Sequence, residues 1–233
     1  MGLADRDYMR QQTRRWPRWL PNLVGALIVI GLVALVLVVL HYRSPEAPES
    51  VVGSPSLLGI PLSPSQPLYP PNDPWKAYLA PDRVCPGGEV RSAPVGAQER
   101  TMICLLNWAR QRRGLPALPA NALLGRSSAL KARDIAQCED FAHEACGKEA
   151  RAVADEAGYD DRAGWGENIY AGSSPLGSPR IAVDRWLNSP GHRDNLFNPE
   201  WTEQGVALLP VRSFNRASDV AIWVSQFGLR ERI

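Results

Sequence analysis

The chain has 233 residues, of which 45% are hydrophobic and 21% are charged, and its formal net charge is +2 at pH 7. That length accommodates one domain with a sizeable core and additional segments. Residues 1–43 hold six arginines and two aspartates, which leaves 20 basic and 22 acidic groups, a net charge of −2, on the rest. A basic surface for nucleic acid is therefore not expected on that part.

The amino-terminal segment is predicted to cross a membrane once, as a signal anchor. Residues 23–40 form an unbroken apolar run, and residues 20–42 have the length of a membrane-spanning helix. Five arginines precede the run and one closely follows it, so the positive-inside rule predicts a cytoplasmic tail over residues 1–19 and a periplasmic or extracellular remainder. A cleaved signal peptide is the alternative, but the run is longer than a typical signal core.

A proline-rich and serine-rich linker is predicted over residues 43–83, followed by a folded domain over residues 84–233. Ten of the chain's 21 prolines lie between residues 44 and 81. This composition is typical of an extended spacer that holds a domain away from the bilayer.

All four cysteines lie in the part predicted to be exported, where disulfides persist. Two bridges allow three connectivities. We expect Cys138 to pair with Cys146, closing a short loop around His143, and Cys85 to pair with Cys104, tying the leading segment to the first helix. A structural zinc cluster is not favoured, because the chain has no Cys-x-x-Cys pair.

The folded domain is predicted to place helices first and strands last. Apolar spacing predicts helices over residues 98–113, 121–137, 148–157 and 179–187. Ser189 and Pro190 predict the N-cap and first position of a further short helix, near whose positive end the ring of His192 is expected to be neutral. Segments 202–209 and 219–227, rich in Val, Ile and Trp, predict two antiparallel strands. This order indicates an α+β fold.

Two glycine-containing motifs carry the residues that indicate a site. Glu167 lies in Gly-Trp-Gly-Glu-Asn-Ile-Tyr, and His192 lies in Asn-Ser-Pro-Gly-His-Arg-Asp-Asn. If His143 lies in the same site, the chain supplies two imidazoles and one carboxylate there. This set matches a three-ligand zinc site with an open water position. The same trio also fits a hydrogen-bonded cleft without a metal, and an isolated histidine is more often structural.

The motifs resemble the CAP superfamily, which includes cysteine-rich secretory proteins, insect venom antigens and plant pathogenesis-related proteins, and in particular its short bacterial members. The matching segments are residues 99–116, 141–143, 166–169, 186–195 and 223–228. The resemblance implies a three-layer α/β/α sandwich with a small central sheet and a cleft that contains His143. The family pattern has two histidines and two glutamates, and Ser189 stands where its second glutamate falls. Glu203 either replaces that glutamate or is a solvated strand residue.

Three functions fit these features. The leading one is a membrane-tethered ligand-binding or interaction module of the cell envelope, with His143, Glu167, His192 and Ser189 in its cleft; the resemblance implies small hydrophobic ligands, including lipids. The second is a peptidase-like, metal-assisted hydrolase with Glu167 as general base and a divalent metal such as zinc on the two histidines. The third is a scaffold without cleft activity. A serine hydrolase is disfavoured, because capping explains Ser189.

Overall fold

The computed structural model describes residues 68–69, 72–159 and 164–229. All of them belong to one compact unit. The helices are α1 (Val95–Arg112), α2 (Ala122–Cys138), α3 (Ala152–Ala157), α4 (Pro179–Asn188) and α5 (Pro190–Leu196), and the strands are β1 (Gly164–Ser173), β2 (Glu203–Phe214) and β3 (Ala217–Leu229). Short 3-10 turns occur at Lys76–Tyr78 and Ala145–Gly147.

The membrane segment predicted over residues 20–42 lies outside the described residues, as does the linker up to residue 67. Within the described ranges, none of the helices combines the length and the apolar character that a membrane span requires. The anchor and linker therefore stay predictions.

The three strands form one antiparallel sheet in the order β1, β3, β2. In this register Glu167 of β1 and Gly205 of β2 both lie opposite Gln226 of the central strand β3. Both β1 and β2 are edge strands of the sheet.

Helices cover both faces of the sheet. Successive side chains of a strand point to opposite faces. On β3, Trp223 and Phe227 pack into the core formed with α1 and α4, whereas Ile222 and Val224 pack into the core formed with α2. The structure therefore confirms an α+β fold with mixed helices and a small antiparallel sheet, and its layers are α/β/α.

The predicted helices lie within a few residues of the observed ones, except that α3 begins at Ala152 rather than at residue 148. The ammonium group of Lys148 instead lies 2.8 Å from a carboxylate oxygen of Asp134 on α2. Strand β1 was not predicted, because its glycines and its burial on both faces remove the alternating pattern. Gly166 of this strand leaves room for a neighbouring side chain, because a Cβ there would lie 2.4 Å from Oδ1 of Asn195.

Both expected disulfides are present. Cys85 is bonded to Cys104 and Cys138 is bonded to Cys146, and no cysteine of the described residues is free. The first bond ties the segment before α1 to that helix, and the second closes the turn after α2.

Candidate functional site

The candidate site lies at the edge strand β1, where the two helical layers meet. Ile169 and Ala171 of β1 pack on the α2 side, whereas Tyr170 packs on the α4 side. By the same alternation, Glu167 faces the α2 layer and Asn168 faces the layer of α4 and α5. One histidine approaches this edge from each layer.

Glu167 is the buried centre of the site, with a side chain that is 1% exposed. Its Oε1 lies 2.8 Å from Nδ1 of His143, and its Oε2 accepts a hydrogen bond of 2.8 Å from Nε2 of Gln226. A buried carboxylate is stable when donors satisfy both oxygens. Both oxygens of Glu167 are therefore occupied within the protein.

The partner carboxylate sets the orientation of His143. An ionised carboxylate only accepts hydrogen bonds, so Nδ1 of His143 must carry the proton that it shares with Glu167. When this ring is neutral, its lone pair lies on Nε2. Because the His143 side chain is 42% exposed, this ring is open to solvent on one side. The arrangement holds a hydrogen-bond acceptor or ligand atom in a defined direction.

The loop that carries His143 is fastened at both ends and in the middle. The disulfide between Cys138 and Cys146 closes it. Lys131 of α2 is fully buried, and its ammonium group donates a hydrogen bond to the backbone oxygen of His143. These contacts limit the movement of the ring relative to Glu167.

His192 is the second histidine of the site. Burial, and then the positive charge of His143, lower the pKa of His192 below its ordinary value. The effect of the His143 charge on His192 places the two rings near each other, and the lowered pKa favours a neutral His192 at physiological pH.

Ser189 has a different role from the one predicted. It is the residue before α5, but its side chain makes no capping hydrogen bond to that helix. Its Oγ lies instead 2.9 Å from Nδ1 of His192. The predicted capping by the Ser189 hydroxyl is therefore wrong, because the imidazole of His192 is the partner that the hydroxyl reaches.

Amide side chains that the sequence did not single out hold α5 against β1. Nδ2 of Asn168 donates to the backbone oxygen of His192 at 3.0 Å, and Nδ2 of Asn195 donates to Oδ1 of Asn168 at 3.0 Å. The indole of Trp201 donates to the backbone oxygen of Asn195 at 2.8 Å. The one sequence signal that pointed to Asn168 was its position directly after Glu167.

Glu203 is neither in this site nor solvated. It lies on β2, at the opposite edge of the sheet from β1, and is 8% exposed. Its carboxylate accepts a hydrogen bond of 2.9 Å from Nδ2 of Asn121, the residue before α2. The prediction of a solvated residue is wrong, because this side chain helps to fasten α2 to the sheet.

The residues of the site do not fit the three-ligand zinc centre suggested by the sequence. Both Glu167 oxygens already accept hydrogen bonds, so this carboxylate acts on the ring of His143 rather than as a ligand. In the part of the chain that the structure describes, no group of three His, Cys, Asp or Glu side chains is arranged to hold a metal ion. Metal binding by His143 and His192 alone stays a prediction.

Comparison with known proteins assigns the family. The model of the cysteine-rich secretory protein family, CAP, matches residues 104–227, more than half of the chain. The chain belongs to the CAP family. A curated CAP relative, an uncharacterized protein YkwD of Bacillus subtilis strain 168, is 31% identical over 138 residues, which are 58% of this chain and 49% of that protein. The chain thus spans about half the length of the curated relative it matches.

Solved structures with similarity to this CAP protein include two bacterial examples. An extracellular protein with an SCP domain from Bacillus anthracis str. Ames has a TM-score of 0.49 and 23% identity, covering 65% of this chain and 44% of that one. An outer surface protein from Borrelia burgdorferi has a TM-score of 0.48 and 19% identity, covering 57% of this chain and 92% of that one.

Proposed function

We propose that this chain is an extracytoplasmic CAP-domain protein that binds a ligand at the cell envelope, through a cleft at the edge strand β1 that holds His143, Glu167, Ser189 and His192. The observation that supports binding most directly is the geometry of His143. A buried carboxylate fixes its ring, yet 42% of its side chain is exposed. A histidine that only stabilises the core has no need to present a ring edge to solvent.

The second imidazole strengthens this proposal. Burial and the charge of His143 lower the pKa of His192, and Asn168 fixes its backbone. A neutral His192 and an oriented His143 offer hydrogen bonds to a polar head group. Together with the CAP membership, this favours a small amphipathic ligand, such as a lipid, over an ionic polymer.

The proposed location outside the cytoplasm is supported by two features. The two disulfides are typical of an oxidising compartment. The arginine-flanked apolar run over residues 20–42 is typical of a membrane anchor with the following residues exported. We therefore propose a single-pass membrane protein with the CAP domain on the outer side.

Ligand capture by residues 56–233, which include all described residues, tests the proposed binding. After incubation with an envelope lipid extract, the wild-type unit is expected to retain a stoichiometric ligand that native mass spectrometry detects. The double variant His143→Ala/His192→Ala is expected to lose at least about 90% of it, which corresponds to about 1.4 kcal/mol or more of binding free energy. Asp219→Asn, which breaks the surface ion pair with Arg91, is the control and retains the ligand.

Two outcomes of that experiment contradict the proposal. One is a wild-type unit that retains nothing. The other is a double variant that melts earlier but captures as much ligand as the wild type, since this is the behaviour of a scaffold whose cleft residues only hold the fold.

The proposed anchor is tested by membrane extraction. The full-length chain is expected to stay in the membrane pellet after treatment with alkaline carbonate, because a spanning helix resists extraction. A variant with two aspartates in the apolar run, at Leu32 and Leu35, is expected to leave the pellet. Release of the full-length chain into the supernatant contradicts the anchor and leaves the cleft proposal standing.

Hydrolysis is the second candidate function, and the contact between Ser189 and His192 favours it. A serine hydroxyl within 2.9 Å of a neutral imidazole has the geometry of a nucleophile and its base. In a hydrolase of this arrangement, Glu167 orients His143 and does not itself contact substrate. Turnover of small esters that Ser189→Ala abolishes, with ligand retention intact, supports this function over simple binding.

A further inference from the structure

A segment in front of the CAP region packs against the helix that carries His192. We call residues 72–80 the strap. The guanidinium carbon of Arg193 lies 4.4 Å from the ring centroid of Trp75 in the strap, and the Trp75 and Phe197 centroids are 6.2 Å apart. Tyr78 of the strap lies 5.6 Å from the same Phe197 ring. The strap therefore contacts α5 at Arg193, which lies within this helix, and at Phe197, which directly follows the helix.

Arg193 connects the strap to the site. It directly follows His192, and its Nη1 donates a hydrogen bond of 2.8 Å to the backbone oxygen of Leu187 near the end of α4. The Trp75 ring covers this guanidinium. A cation is attracted to the face of an aromatic ring, more strongly where water is excluded. Loss of the strap thus removes a contact that fixes the turn between α4 and α5.

The strap brings a carboxyl group close to a second one on α4. Asp184 of α4 has a fully buried side chain, and Asp73 of the strap lies near enough to affect its ionisation. The Oδ2 atoms of both residues are buried and, among the described residues, accept no hydrogen bond from an N–H group. Two adjacent buried carboxyl groups are stable when they share one proton, since two negative charges repel each other.

Asp184 also faces a guanidinium group and two phenols. Nη1 of Arg185, the next residue on α4, lies 3.5 Å from Oδ2 of Asp184. The phenols of Tyr69, before the strap, and Tyr170, on β1, are the other neighbours whose ionisation Asp184 affects. Burial raises the pKa of Asp184 to about 7, with Arg185 opposing the shift and Asp73 reinforcing it.

We propose that the strap positions α5 and His192, and that one proton shared between Asp73 and Asp184 holds the strap in place. Trp75 is then a positioning residue that acts on the cleft through Arg193. The strap precedes residues 104–227, which the family model matches, so this device belongs to the chain's own leading segment. The inference rests on the packing of the strap and on the buried pair of carboxyl groups, and it does not require the proposed ligand.

The shared proton makes strap docking depend on pH. A carboxyl whose pKa is raised in the docked state loses its contribution as pH rises from about 4 to about 7, and the loss levels off above that range. The strap is therefore expected to dock most firmly in acid and to open more often toward neutral pH.

Hydrogen–deuterium exchange of the full-length chain in detergent micelles tests the proton. After correction for intrinsic rates, exchange of peptides over residues 72–80 is expected to increase about tenfold or more between pH 5 and pH 7. Asp184→Asn is expected to abolish the increase, because its amide donates to Asp73 at every pH. Asp219→Asn serves as the control and keeps the wild-type response. A strap whose exchange is independent of pH, or a pH response that persists in Asp184→Asn, overturns the shared proton.

Trp75→Ala tests the positioning of α5. Exchange over residues 190–197 is expected to increase about tenfold at both pH values, whereas exchange in α2 remains that of the wild type and shows that the domain is folded. The ¹H–¹³C ring resonance of His192 is expected to move, while that of His143 does not. Unchanged exchange over residues 190–197 together with an unmoved His192 resonance overturns the positioning role, whatever ligand the cleft binds.

Discussion

Gly205→Ala is expected to lower the free energy of unfolding by about 3 kcal/mol or more. A Cβ at this position of β2 would lie 2.3 Å from the backbone nitrogen of Gly125 and 2.3 Å from the backbone carbon of Leu124, both in α2. Backbone atoms of a helix cannot turn aside as a flexible side chain can, so the helix or the strand must move away. Overpacking a close contact costs about 1 to 3 kcal/mol and occasionally more. Urea unfolding followed by circular dichroism measures the change.

Gly125→Ala is the matched control, because it adds the same methyl group on the other side of that contact. The nearest atom to a Cβ at Gly125 is the Val206 backbone oxygen at 3.9 Å, an ordinary contact. Alanine also favours a helix over glycine by about 1 kcal/mol. The control is therefore expected to be neutral or stabilising. Equal stability of the two variants contradicts the close packing of α2 on β2.

The contact at Gly205 has a consequence for the site. Oγ of Ser128 donates a hydrogen bond of 3.2 Å to the backbone oxygen of Gly205, so α2 lies directly on this edge of the sheet. One turn further along, Lys131 holds the loop of His143. The position of α2 on β2 thus helps to determine where His143 lies relative to Glu167.

The sequence predicted the parts of the fold that depend on local signals. Helix periods and stop signals are local, so α1, α2 and α4 lie close to their predicted bounds. The two disulfides are the pairs that were expected among three possible connectivities. That His143 and Glu167 lie in one site was expected from motifs of the family rather than from any distance along the chain.

The sequence did not predict features that depend on strand register or on the local choice of a hydrogen-bond partner. Gln226 contacts Glu167 because β3 lies beside β1 in one register, which no local pattern encodes. Ser189 has the sequence of a cap, but its hydroxyl has a nearer partner in His192 once α5 has formed. Asp184 was predicted only as a position within a helix, and the effect of Asp73 on it depends on where the strap lies in the fold.

Asp184→Asn is expected to remove a loss of stability that the wild-type domain shows as pH rises. Burial raises the pKa of Asp184 to about 7 from an ordinary value of 3.8, so the folded state binds this proton more tightly than the unfolded state. The contribution is fully present below pH 4 and decreases as pH rises from about 4 to about 7. Three pH units correspond to at most about 4 kcal/mol. Stability therefore falls with pH here, unlike that of a domain with salt-bridged carboxylates.

The difference in unfolding free energy between Asp184→Asn and the wild type is expected to be near zero at pH 4, to increase up to pH 7 and to be constant above it. Urea unfolding at several pH values measures this curve. Asp73→Asn is expected to reduce the dependence only in part, because burial of Asp184 is the larger cause and persists in that variant. A wild-type stability that rises over this range in parallel with Asp184→Asn contradicts the buried acid pair, because a carboxyl with a raised pKa cannot produce that slope.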